Sequence, residues 1–129
     1  MNNKIIFEGK TRERLHFHEL SAFALLLEHF DTDIVCINPG DKRTPDLRVG
    51  KIEWELKSPR GSGPDTIEKI LKKAARQFAN VILDLSRIKM NNDQAISRTR
   101  HYLKNNRHYI DRLLIITKER RIIDLTHEL

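Results

Sequence analysis

Apolar side chains recur along this chain with two spacings, and each spacing predicts a different kind of element. From about Arg12 to Phe30 the apolar positions follow a helical period, which predicts the first helix. The short β-branched run Ile34–Ile37 predicts a buried strand. Ahead of both, the apolar run Ile5–Phe7 fits an extension or a short edge strand. The first part of the chain therefore combines a helix with extended segments.

The later part of the chain alternates helices with strongly apolar strands. One helix is predicted after a cap at Asp65 or Thr66, and another from a cap at 91–93 to about Asn106. Near-continuous apolar runs of the kind found in strands buried on both faces follow these helices. These runs are Val81–Leu85 and Leu113–Ile116, with Ile122–Leu125 as a returning partner. The order predicts a single α/β domain over residues 1–129, with a mixed β-sheet flanked by helices.

The most informative segment is Pro45–Lys57, which the pattern predicts to be a β-hairpin with one apolar and one ionised face. Side chains alternate along a strand, and a turn with an even number of residues near Gly50 keeps both strands in phase. The apolar face then comprises Leu47, Val49, Ile52, Trp54 and Leu56. The ionised face comprises Asp46, Arg48, Glu53, Glu55 and Lys57.

Antiparallel counting across this hairpin places Asp46 opposite Glu55 if Gly50 and Lys51 form the turn. Crowded carboxylates repel one another, so folding alone gives no reason to gather them on a short sheet face. A divalent metal ion shared between the two carboxylates would give such a reason.

The helix after Asp65 carries its own charge pattern. Its cations recur at spacings of three and four, so they form one stripe. The stripe comprises Lys69, Lys72, Lys73 and Arg76. The chain as a whole has a formal net charge of +6. A polyanionic partner would relieve the repulsion along the stripe, and a solvated helix face is the alternative.

Other candidate features are weaker. The loop Ser58–Pro64 is rich in Gly and Pro and is either a substrate clamp or a connector. His16 and His18 would point apart on a helix, which argues against a metal site there. Cys36 has no second cysteine to pair with and fits a buried strand position. The sequence shows no membrane-spanning run and no secretory leader, which favours a cytoplasmic site of action.

Taken in order, these segments resemble the core of the PD-(D/E)XK nuclease superfamily, a restriction-endonuclease-like fold. More narrowly, the chain is similar to the C-terminal tRNA-cleaving toxin domains of contact-dependent growth inhibition proteins and to small stand-alone relatives. The likeness spans about Glu19 to Leu125. The motifs that carry it are Lys42-Arg43-Thr44-Pro45-Asp46, Trp54-Glu55-Leu56-Lys57-Ser58-Pro59, Lys72-Lys73-Ala74-Ala75-Arg76-Gln77 and Asn80-Val81-Ile82-Leu83-Asp84-Leu85. Those toxins end much larger secreted proteins, whereas this chain opens with its own Met1.

The resemblance implies a metal-dependent nuclease with assigned roles. Asp46, Glu55 and the backbone carbonyl of Leu56 would bind Mg²⁺, with Mn²⁺ and Zn²⁺ as alternatives. Lys57 would offset charge in the transition state, Glu19 would complete the metal shell, and Gln77 would orient the phosphate or water. Backbone phosphates would be held by Ser58, Arg60 and the cations Lys69, Lys72, Lys73 and Arg76.

Three functions follow from the residues and the resemblance together. The first is an RNase acting on tRNA, the second a DNA endonuclease on the same core, and the third a nucleic-acid-binding domain whose carboxylates are structural. The acids argue against the third, because a binding module gains affinity by losing acids near phosphate. Only the family likeness favours tRNA, and it also implies an immunity or inhibitor protein as partner. No aromatic cluster for stacking unpaired bases stands out in the sequence.

Overall fold

The computed structural model describes residues 2–40, 43–63 and 65–129. Lys42, which begins one of the quoted motifs, and Pro64 of the predicted loop lie outside these residues. The chain divides into two compact units, Met1–Glu55 and Leu56–Leu129. Each unit combines helices with a β-sheet that contains both parallel and antiparallel pairs. The α/β class with a mixed sheet is therefore confirmed, and the assignment of 1–129 as one domain stays a prediction.

The first unit contains strands β1 (Ile5–Phe7), β2 (Ile34–Cys36), β3 (Leu47–Val49) and β4 (Ile52–Lys57), whose last residues belong to the second unit. β1 runs parallel to β2, while β2 and β3 are antiparallel, as are β3 and β4. The run Ile5–Phe7, predicted to be an extension or a short edge strand, is thus a strand.

The helix predicted from Arg12 to Phe30 is in fact two helices, α1 (Thr11–Arg14) and α2 (Phe17–Phe30). The break falls at Leu15 and His16, which both have extended backbone angles. Extended residues end one helix and provide the N-cap of the next. The N–H of His16 donates to Oε1 of Glu19 at 3.1 Å, which satisfies a backbone donor at the start of α2.

The second unit contains α3 (Thr66–Ala75), β5 (Asn80–Asp84), α4 (Asn92–Asn105), β6 (Arg112–Ile116), β7 (Ile122–Asp124) and a short 3₁₀ turn, Thr126–Glu128. β5 and β6 are parallel and β6 and β7 are antiparallel, so β7 lies beside β6 as the returning partner that the sequence predicted. Asn91 caps α4 by accepting a hydrogen bond from the N–H of Gln94 at 2.8 Å. Asp65 is the N-cap residue of α3, as predicted, but its side chain makes no capping hydrogen bond and pairs with Lys69 at 3.1 Å.

One hydrophobic cluster holds the second unit together. The inner faces of α3 and α4 supply Ile67, Leu71 and Leu103, which pack with strand residues such as Val81 and Leu113. Burying each such Leu or Ile side chain contributes about 1.5–3 kcal/mol. Because α3 buries this side, its cations are left on the opposite face. No helix among the described residues is long and apolar enough to cross a membrane.

Candidate functional site

The β3–β4 hairpin has the predicted register. Leu47 pairs with Trp54 and Val49 with Ile52, so Gly50 and Lys51 form the turn. Gly50 has φ +61°, a conformation that glycine adopts without strain. The N–H of Asp46 donates to the carbonyl of Trp54 at 3.0 Å. The hairpin therefore holds the backbone of Asp46 next to the Trp54–Glu55 segment.

The two faces of the hairpin differ from the prediction in one respect. Leu47, Val49, Trp54 and Leu56 are buried as expected, and the Trp54 ring packs on Phe30 of α2 at 5.6 Å between centroids. Glu55 lies on the face that was predicted to be ionised, but it is only 8% exposed. Strand alternation tells which face a side chain is on, and here both faces of β4 are covered between Trp54 and Leu56. Glu55 is therefore a buried carboxylate.

Two of the predicted acids meet in a cavity of about 130 Å³ in the first unit. Glu19 reaches it from the first turn of α2, and Asp46 from the residue before β3. We call it the carboxylate cavity, and its lining comprises Thr11, Arg14, Leu15, Glu19, Phe23, Cys36, Ile37, Pro39 and Asp46. Glu55 is not part of this lining. The structure thus places Asp46 and Glu19 at one cavity, whereas a common ion for Asp46 and Glu55 stays a prediction.

The acids of the carboxylate cavity act on the buried thiol of Cys36, which also lines it. Burial raises the pKa of the Cys36 thiol, and the charges of Asp46, Glu19 and Glu8 raise it further, while a hydrogen bond with Thr11 acts in the opposite direction. The same negative charges that disfavour a thiolate favour a bound cation. Arg14 at the cavity wall supplies a positive group that could meet a phosphate.

The donor set suits one kind of metal better than another. Among residues 2–40, 43–63 and 65–129, no three His, Cys, Asp or Glu side chains form a group that could hold a metal ion. Zn²⁺ sites use three or four protein ligands, whereas Mg²⁺ keeps several waters and needs only one or two carboxylates. Two carboxylates at one cavity therefore fit Mg²⁺. The expectation that His16 and His18 point apart is wrong, since their rings stack with 5.7 Å between centroids. The reason is that His16 is the N-cap residue and not part of the helix.

In the second unit, β4 ends beside a buried carboxylate that the sequence analysis did not select. Asp84, at the end of β5, is fully buried. Its Oδ2 accepts a hydrogen bond from the Ser58 hydroxyl at 3.4 Å, and its Oδ1 accepts one from the Ser86 N–H at 3.0 Å. Arg87 donates to the Ser58 carbonyl at 3.1 Å. The one visible signal was an acid inside an apolar strand sequence, which is costly to bury without such partners.

The remaining predicted residues of this unit vary in exposure. Lys57 is half-buried, with its Nζ 5.9 Å from the centre of the Phe78 ring. Gln77 lies in the turn after α3 and is exposed. Ser58 is half-buried and its hydroxyl proton is directed to Asp84, whereas Arg60 is exposed.

The α3 stripe is exposed along its length but is not uniformly charged. Lys69 forms an ion pair with Asp65, so an acid of the chain itself relieves part of the repulsion along the stripe. Lys72, Lys73 and Arg76 are exposed on the same helix side. Glu68, also on α3, pairs instead with Arg98 of α4 at 3.6 Å. An exposed ion pair such as Lys69–Asp65 contributes little to the free energy of folding. Its main effect is therefore to lower the local positive potential of the stripe.

Comparison with known proteins places these features in a family. A model of the contact-dependent growth inhibition CdiA C-terminal domain matches residues 42–122. The chain belongs to this family. The range matched to the CdiA C-terminal domain includes Asp46, Glu55, Lys57 and the α3 stripe, and it begins after Glu19. A sequence comparison with curated proteins gives no match.

The fold of this CdiA C-terminal domain is similar to that of a solved structure. That structure is described as the CdiA-CT/CdiI toxin and immunity complex from Burkholderia pseudomallei. The TM-score is 0.70 with 11% sequence identity, and the similarity covers 95% of this chain and 98% of the other. At this identity the similarity concerns the fold.

Proposed function

We propose that this chain is a metal-dependent nuclease that cleaves RNA, with tRNA as its substrate class. The observation that carries the proposal is the meeting of Glu19 and Asp46 at one cavity. Membership of the CdiA C-terminal domain family supports a toxin role. The exposed cations of α3 support a polyanionic substrate. The PD-(D/E)XK assignment belongs to the same proposal.

The proposed roles follow from the chemistry of each group. Asp46 and Glu19 would hold Mg²⁺, with Glu55 and the carbonyl of Leu56 as further oxygen donors. A divalent ion, when bound, polarises a phosphate oxygen and eases deprotonation of a water. Lys57 lies two residues after Glu55 in β4, so both side chains leave the strand on one side. Its ammonium would offset the negative charge that grows on the phosphate during cleavage.

Substrate binding would come from groups outside the carboxylates. Arg60 and the α3 cations would contact backbone phosphates, which gives affinity without reading sequence. Gln77, which is exposed, would contact the phosphate or the attacking water. Ser58 would act indirectly, by fixing the end of β4 through its bond to Asp84.

The partners and the site of action belong to the proposal as well. The similar structure is described as a toxin and immunity complex. We extend that arrangement to this chain and propose an immunity protein that blocks its activity. Because tRNA is cytoplasmic, the domain would act in the cytoplasm after release from a larger secreted protein.

The test is cleavage by the purified chain of tRNA, rRNA, plasmid and single-stranded DNA side by side, with Mg²⁺ or Mn²⁺ and with EDTA. We expect cleavage of tRNA that requires metal and that falls about 100-fold or more in Asp46→Asn. Preferential cleavage of DNA would establish the second function, a DNA endonuclease. Tight binding without cleavage of any substrate would establish the third, a binding domain with structural carboxylates.

A further inference from the structure

A second cavity, of about 500 Å³, lies in the second unit where α3 meets the end of α4. We call it the basic cavity. Its lining comprises Lys72, Ala75, Arg76, Tyr102, Asn106, Arg107, His108 and Tyr109. None of these side chains is acidic. The volume is within the range of about 300–1,000 Å³ that small-ligand sites occupy.

Cations reach this cavity from two elements. Lys72 on α3 and Arg76 at its C-cap are four residues apart, and Arg76 keeps helical backbone angles, so both lie on one side of the helix. Arg107 approaches from the segment that follows α4. All three are exposed, so each guanidinium or ammonium can reach a ligand without losing a buried contact. Lys69, whose charge Asp65 offsets, is not in the lining. Two of the stripe cations, Lys72 and Arg76, thus line a concave site, which fits phosphate.

An aromatic ring stands beside these cations. Tyr109 is 75% exposed, an unusual position for a large aromatic side chain. The backbone beneath it is fixed, because Ile110 is buried and the N–H groups of Asp111 and Arg112 both donate to the carbonyl of Ala79. The ring is therefore presented on an anchored segment. An exposed ring next to phosphate-binding cations is the arrangement on which unpaired bases stack.

Two further side chains offer directional hydrogen bonds. Nδ1 of His108 accepts from the N–H of Ile110 at 3.2 Å, so the neutral ring carries its proton on Nε2, which can donate. Nδ2 of Asn106 donates to the carbonyl of Tyr102 at 3.0 Å, so its Oδ1 can accept. A base edge or a ribose hydroxyl offers the complementary groups.

We propose that the basic cavity binds one unpaired nucleotide of the RNA substrate, with the base stacked on Tyr109 and the flanking phosphates held by Arg76 and Arg107. The proposal rests on the proposed function for the identity of the polymer as RNA. It goes further by naming an unpaired nucleotide as the feature that the protein recognises outside the carboxylate cavity.

The test measures binding without cleavage. Fluorescence anisotropy in EDTA gives the Kd of a short labelled single-stranded RNA and of a fully paired RNA hairpin closed by a minimal loop. Tyr109→Ala is expected to raise the Kd for the single strand about 5- to 100-fold, and to leave the Kd for the paired RNA within about twofold. Tyr109→Phe keeps the ring and should bind both RNAs as the parent does.

Charge variants separate stacking from attraction to phosphate. Arg107→Gln should weaken the binding of both RNAs. It should also reduce the slope of log K against log salt concentration by about 0.7–0.9. The matched control is Lys104→Gln, because Lys104 is exposed in the last turn of α4 but does not line the cavity. It should reduce affinity less than Arg107→Gln.

Several results would overturn the proposal. One is a single-strand Kd that Tyr109→Ala leaves unchanged, and another is an equal loss for single-stranded and paired RNA. A third is a polyglutamate peptide whose binding depends on Tyr109 as strongly as RNA binding does, which would mark the cavity as a site for an acidic protein. RNA that binds through Tyr109 but is never cut would support this site while refuting the nuclease. Cleavage of RNA together with a single-strand Kd that Tyr109→Ala leaves unchanged would refute this site and leave the nuclease proposal standing.

Discussion

Glu19 and Asp46 line the same cavity although one starts a helix and the other precedes a strand. The two residues are 27 positions apart in sequence, so the tertiary packing of the first unit brings them together. Arg14 and the buried thiol of Cys36 lie at the same cavity. This relationship allows the metal proposal to be tested by binding as well as by cleavage.

The first prediction concerns metal affinity. Asp46→Asn and Glu19→Gln should each weaken Mn²⁺ binding, measured by titration calorimetry, by about tenfold or more, because each removes one anionic oxygen donor. Glu19→Gln keeps an acceptor for the His16 N–H, so the start of α2 should remain intact. The free energy of unfolding of Asp46→Asn should hold or rise, since crowded negative charge is relieved.

Glu28→Gln is the matched control for this experiment. Glu28 is an exposed residue of α2 and does not line the carboxylate cavity. Its substitution should leave Mn²⁺ binding and cleavage at the level of the parent. Equal affinity in all three variants would separate Glu19 and Asp46 from any metal site.

The second prediction concerns the α3 stripe. Lys72→Gln and Lys73→Gln should each weaken RNA binding and lower the salt slope by about 0.7–0.9, the value for one phosphate contact. Lys69→Gln should change the slope less, because Asp65 already offsets that charge. The measurement is the Kd for tRNA in EDTA over a series of salt concentrations. Equal slopes in all variants would make the stripe an ordinary solvated face.

The third prediction uses Cys36 as a reporter of the carboxylate cavity. A raised pKa leaves less thiolate at any given pH, so Cys36 should be alkylated more slowly in the folded protein than in urea, and should need a higher pH. Asp46→Asn removes a charge that raises this pKa, so the midpoint of the rate profile should move to lower pH. Glu53→Gln, on the exposed part of the hairpin, should leave the midpoint in place. An unmoved midpoint in Asp46→Asn would place that carboxylate away from the thiol.

The fourth prediction concerns Asp84. An amide at this position can keep its oxygen toward the Ser86 N–H only by turning its NH2 group toward Ser58, whose hydroxyl must then accept instead of donate. Both hydrogen bonds lose the strength that a carboxylate acceptor gives them in a fully buried place. Asp84→Asn should therefore lower the free energy of unfolding by about 1–3 kcal/mol, measured in urea. Asp111→Asn, at an exposed position, should change it by less than about 0.5 kcal/mol. Unchanged stability in Asp84→Asn would mean that these hydrogen bonds add nothing to folding.

The sequence predicted most of this fold because the signals were local and periodic. The alternation in Pro45–Lys57 and the glycine at position 50 were enough for the register of the hairpin. The apolar runs of β5 and β6 were enough to predict two buried strands. The break before α2 was less visible, because His16 is not a common N-cap residue and no Pro or Gly marks it.

The site was harder to predict, because burial depends on segments distant in sequence. Alternation placed Glu55 opposite the core face of the hairpin but gave no sign that the second face is covered too. The ion pair of Lys69 was predictable from the sequence, because Asp65 stands four residues before it and would lie on the same side of a helix. Tyr109 is in a short non-periodic loop, so its exposure beside Arg76 and Arg107 appears only in the folded chain.

Glu19 also belongs to the start of α2, where its Oε1 accepts the His16 N–H at 3.1 Å. A ligand that draws this carboxylate further into the cavity competes with the first turn of the helix for the same oxygen. The two equilibria are thermodynamically linked, so the amide of His16 should exchange its hydrogen faster as the cavity fills. The exchange rate of the His16 amide, measured by NMR, would therefore report whether the carboxylate cavity is occupied, without any substrate.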